Sequence, residues 1–157
     1  MANYPPSSDP WSGEGARGPS GPPLASWGQR VGAYLVDALI GVGIVLAGLL
    51  LSSILGTVSD ALGVFFLVVG YIAQLVFLFW NLARQGKTGQ TIGKGVLNIR
   101  LVRLDGVNPP GVGLSIGRTF LHVIDALPCY LGFLWPLWDD KRQTFADKIL
   151  NTVVVTA

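Results

Sequence analysis

Residues 31–83 constrain this chain more than any other stretch, because their only charged side chains are Asp37 and Asp60. A soluble helix of such length needs a polar face to meet water, and neither run has one. At 1.5 Å per helical residue, residues 31–55 reach about 37 Å, enough to cross about 30 Å of hydrocarbon with some tilt. A short polar turn at 56–60 follows, and 61–83 is a second run of spanning length. The pattern predicts a two-helix transmembrane hairpin. Composition agrees, with 50% hydrophobic and 13% charged residues, whereas a soluble domain carries about 25% charged residues. The expected class is an all-α membrane protein.

Asp37 then needs an explanation. An ionised carboxylate at membrane depth is costly and ordinarily faces a partner, the bundle interior or a water-filled cavity, so it marks a candidate functional site. Arg30 lies seven residues earlier, on the same helix face about 10.5 Å away. Gly32, Gly41, Gly43 and Gly48 in the first run, with Gly63 and Gly70 in the second, permit the close backbone approach that drives helix packing in lipid. Gln74 and Asn81, the polar members of the second run, suit inward-facing hydrogen bonds.

Residues 1–26, rich in Pro, Gly and Ser, read as a disordered tail that cannot bury enough apolar surface to offset chain entropy. They contain no short apolar run of the kind a cleavable signal needs, so the first hydrophobic helix is expected to be retained. Trp27 marks the membrane interface. Basic residues set the orientation: the hairpin turn has none, whereas Arg30 precedes the first run and Arg84, Lys87, Lys94, Arg100 and Arg103 follow the second. By the positive-inside rule the N-terminus and the loop at 84–111 face the cytoplasm. The end of that loop, VLNIRLVRLDG, alternates like a strand, and NTVVVT at 151–156 is a second β-branched run. The two are expected to pair as a small cytoplasmic β element.

Between them, the third apolar region at 114–138 carries Arg118, His122, Asp125 and Pro128. A simple span would put the tail at 139–157 outside, away from its strand partner and against the charge rule on Lys141, Arg142 and Lys148. The preferred reading is a re-entrant hairpin breaking near Pro128, with irregular backbone covered by protein or lining a water-filled cavity; a third span is the alternative. Residues 118–127, RTFLHVIDAL, also align with residues 30–39, RVGAYLVDAL, matching Arg118 to Arg30, Asp125 to Asp37 and His122 to Tyr34. If both segments enter from one side, two guanidinium groups and two carboxylates are expected to cross-pair, with His122 on the same stripe as a potential proton relay.

Enzymatic chemistry is not expected. A Ser/His/Asp order, a metal-ligand cluster and a nucleotide loop are all missing, because Gly86-Lys87-Thr88 lacks the earlier glycine and preceding strand of a phosphate loop. Lone Cys129 reads as packing. Neither a cofactor nor a metal is implied, and without a dense basic patch nucleic acid is not an expected partner.

From Ser26 onward the sequence resembles the RDD family of bacterial membrane proteins, on Arg30 and Asp37, GQTIGKGVLNIRLVRLDG, FLHVIDALP and DDKRQTFADKILNTVVV. The resemblance implies that Arg30 is the family's arginine and Asp37 its first aspartate; the second is Asp125 by preference or Asp147. It implies a multi-pass protein of the bacterial inner membrane with a molecular activity still undefined, for which transport has been suggested, including cation/proton antiport. Two functions follow: movement of protons, cations or a small solute through the Arg/Asp residues, or a structural or assembly subunit whose Arg/Asp pairs lock helices. Expected partners are the lipid bilayer, a second copy or another membrane protein, and a cation or proton.

Overall fold

Ser26 accepts a hydrogen bond from the Gln29 amide, and the Gln29 side chain accepts one from the Ser26 amide, a capping box that starts helix α1 (Trp27–Gly56). Helix α2 (Asp60–Thr88) returns antiparallel and stops at Gly89, where φ is 77°. These coordinates are a computed structural model that describes residues 22–106 and 108–157. Both helices are long and apolar enough to cross a membrane. Each runs past the apolar stretch that predicted it, α1 back to the capping box at Ser26 and α2 on to the glycine stop at Gly89. The hairpin closes on glycine: a Cβ on Gly48 would lie 2.8 Å from the Gly70 Cα. Ser52 Oγ donates to the Gly63 carbonyl at 2.7 Å, while Leu39 and Val76 point outward.

Short elements gather at the open end of the hairpin. Helix α3 (Ile92–Val96) leads into strand β1 (Ile99–Arg103), and helix α6 (Phe145–Ile149) leads into strand β2 (Thr152–Thr156). The strands pair antiparallel with Leu101 opposite Val154. Of the tail expected at 1–26, residues 1–21 lie outside the described residues, and residues 23–25 are held by backbone pairing. Leu24 bridges Val155, the Ala25 amide donates to the Val154 carbonyl at 2.9 Å, and the Thr156 amide donates to the Pro23 carbonyl at 2.9 Å. Backbone pairing on the open edge of β2 holds residues that Pro and Gly content had assigned to a tail.

The third apolar region is helix α4 (Val112–Ala126), then helix α5 (Leu131–Leu134) running into a 3-10 turn at Trp135–Leu137, with a bend of 107° between the two parts. Fifteen residues reach only about 22 Å, short of the hydrocarbon thickness. Since α6 and β2 follow directly, the region brings the chain back to the end where α4 began. That start is pinned to the end of α2: the Gly111 amide donates to the Gly86 carbonyl at 2.9 Å. Helix α4 is amphipathic in the sense suited to lipid, with Ser115, Arg118 and Asp125 buried and Phe120, Val123 and Leu127 exposed.

The two short helix–strand units are copies of one another. Residues 90–102, QTIGKGVLNIRLV, correspond to 143–155, QTFADKILNTVVV. Gln90 donates to the Ile99 carbonyl at 3.1 Å and Gln143 to the Thr152 carbonyl at 2.8 Å. Thr91 caps α3 and Thr144 caps α6, each accepting a backbone amide at 3.1 Å. Asn98 and Asn151 leave the helices at φ 51° and 50°, a left-handed turn that asparagine tolerates. The strand register relates the copies by a two-fold through Leu101 and Val154, because Ile99 opposite Thr156 maps onto Arg103 opposite Thr152.

Candidate functional site

The repeat extends to the helices that carry charge. Asp37 on α1 accepts the Gly93 amide of α3 at 2.8 Å. Asp125 on α4 accepts the Phe145 and Ala146 amides of α6 at 2.8 and 3.3 Å. Each carboxylate therefore caps the positive end of a short helix, where a negative charge is favoured. In the first half Asn81 shares the work, donating to Asp37 at 3.0 Å and accepting the Ile92 amide at 2.9 Å. In the second half His122 Nδ1 lies 2.5 Å from Asp125 Oδ2. Gly93 seats α3 so closely on α1 that a Cβ there would meet the Ala33 carbonyl at 1.9 Å.

Between the halves lies Asp147, wholly buried. Arg30 Nη1 donates to its Oδ2 at 3.1 Å, Arg118 Nε to its Oδ1 at 2.7 Å, and Thr152 Oγ1 to its Oδ1 at 3.0 Å. Burial alone would raise this carboxyl, but the charges of Arg118 and then Arg30 overcome it and hold Asp147 well below the usual carboxylate range. The expected cross-pairing of Arg30 and Arg118 with Asp37 and Asp125 is replaced by this arrangement. Helix-face spacing put the wrong partners together because it took no account of α6, which lies along α4 and presents Asp147 to both guanidinium groups.

The cluster thus unites Arg30, Asp37, Asn81, Arg118, His122, Asp125 and Asp147. Tyr34, the counterpart of His122, points outward at 72% exposure and takes no part. Gln74 lies deeper, against Gly41, with its Oε1 buried and unpaired among the described residues. Sequence reasoning missed Lys94, which occupies in the first copy the place of Asp147 in the second and whose Nζ donates to the Gln85 side-chain oxygen. The shared QT and LN of the two short units would have revealed it.

Comparison with known proteins agrees with the resemblance seen in the sequence. The model of the RDD family matches residues 24–151. A proline-rich antigen homolog from Mycobacterium tuberculosis is 49% identical over 85 residues, 54% of this chain and 35% of the relative. The proline-rich antigen of Mycobacterium leprae is 34% identical over 146 residues, 81% of this chain and 59% of the relative. The chain therefore spans between about a third and three-fifths of the length of these relatives. No solved structure matches it.

Proposed function

This chain belongs to the RDD family of membrane proteins, and from that premise we propose that it is a transport domain of the bacterial inner membrane that moves protons coupled to a cation. Its N-terminus and ribbon face the cytoplasm, following the basic residues. The observation that carries the reading is the way charge is distributed in the polar cluster, in which Arg30 and Arg118 hold Asp147 while Lys94, close to all three, is met by the neutral side chain of Gln85. A purely structural lock is cheapest when every charge meets its opposite directly, because each unpaired buried charge costs several kcal/mol. Two spanning helices are too few to enclose a solute path, so the working unit is a homo-oligomer or a complex with another membrane protein. No catalytic role is proposed.

Proteoliposomes holding the protein and a pH-sensitive dye provide the test. An imposed sodium or potassium gradient is expected to drive a lumenal pH change that empty vesicles lack, and traces identical to empty vesicles overturn transport. A second reading, a structural or assembly subunit, is favoured by the saturation of Asp147 with three side-chain donors. On that reading Asp147→Asn lowers the amount of folded protein without any separable flux defect.

A further inference from the structure

We propose that Lys94 is the group in the cluster that takes up and releases the transported proton, in place of the aspartates. The inference rests on the transport reading above. Each aspartate is already committed: protonating Asp147 would strand two guanidinium groups, and protonating Asp37 or Asp125 would weaken the cap on α3 or α6. Of the three cations around Asp147, arginine keeps its proton at any physiological pH, which leaves the lysine as the one that can shed charge.

The geometry around Lys94 suits that role. Helix α1 presents Arg30 and Asp37, α4 presents Arg118 and α6 presents Asp147, while α2 supplies Gln85, a neutral acceptor for Nζ. Among the described residues no carboxylate forms a salt bridge with Lys94. Asp147, at the same place in the other copy, is held by two arginines, so the repeat puts a fixed anion on one side of its axis and an exchangeable cation on the other. Burial, followed by the positive charge of Arg118, pushes the amine well below the ordinary lysine value of 10.5. In the exchange the Nζ–H bond breaks, the electron pair stays on nitrogen as the neutral amine, and water carries the proton away; uptake reverses it.

The chain has only Lys87, Lys94, Lys141 and Lys148, so nitrogen-15 NMR of lysine-labelled full-length protein in nanodiscs can resolve each amine. One resonance is expected to titrate at a distinctly lower pH than the other three, and to vanish in Lys94→Met. Should that variant fail to fold, Gln85→Glu places a carboxylate on Nζ and is expected to move the low-titrating resonance back toward the others. Four lysines that all stay ammonium through pH 9 overturn the proposal. Four ordinary lysines beside measurable proton flux overturn the Lys94 assignment and leave transport standing, whereas a low-titrating Lys94 beside silent proteoliposomes overturns transport.

Discussion

Asp37 and Asp125 hold equivalent positions in the two halves of the fold, Asp37 accepting one backbone amide and Asp125 two at the start of a five-residue helix that leads into the ribbon. Neither is an isolated acid in lipid. Each turns inward to satisfy donors that a helix start would otherwise leave bare, and together they fasten the ribbon to α1 and α4. Asp147 then joins the halves to one another through Arg30 and Arg118.

The caps should differ in worth. A buried amide left unsatisfied costs about 1–3 kcal/mol. Asp37→Ala strands the Gly93 amide and frees Asn81, while Asp125→Ala strands two amides and frees His122. Asp125→Ala is therefore expected to lower the unfolding midpoint in detergent further than Asp37→Ala, and equal losses would contradict the asymmetry.

Asp147→Ala leaves two guanidinium groups without their carboxylate, a loss of about 3–5 kcal/mol that should exceed either cap variant. The pH dependence has a definite sign. The folded carboxyl titrates below its ordinary value of 3.8, so its stabilisation is complete above that pH and disappears as pH falls toward the folded value. Unfolding midpoints are expected to drop steeply below pH ~4 in the native protein and only weakly in Asp147→Asn.

Two glycines of α1 should respond oppositely to the same change. Gly48→Ala drives a methyl to 2.8 Å from the Gly70 Cα, and forcing the hairpin apart should cost about 1–3 kcal/mol. A methyl on Gly43 meets nothing within 4 Å, so Gly43→Ala is expected to be neutral, or more stable by up to about 1 kcal/mol from helix propensity. Comparing the unfolding midpoints of the two variants checks the crossing point.

The hairpin was legible because two apolar runs of spanning length follow one another across a short polar turn, and the ribbon because β-branched runs flank turn residues. The return of the third region followed from the same pairing. Partner choice in the cluster was not legible. Arg30 and Asp37 share a helix face, yet a long guanidinium side chain reaches Asp147, far along the chain, once α6 lies beside α4. Short helices such as α3 and α6 leave little periodicity, and their only marks are a capping threonine and an asparagine at positive φ. Lys94 went unnoticed for the same reason, since a lysine in a basic loop reads first as an orientation signal.

Everything above depends on the third region turning back, so that Asp147 reaches Arg30 at the end of the hairpin where β1 lies. Single cysteines at the exposed positions Thr57, Arg100 and Asp140, introduced into a Cys129→Ser background and treated with a membrane-impermeant maleimide in sealed vesicles of known orientation, test this directly. Arg100→Cys and Asp140→Cys are predicted to react from one side and Thr57→Cys from the other. Reaction of Asp140→Cys from the side of Thr57→Cys would make the third region a span and contradict the account.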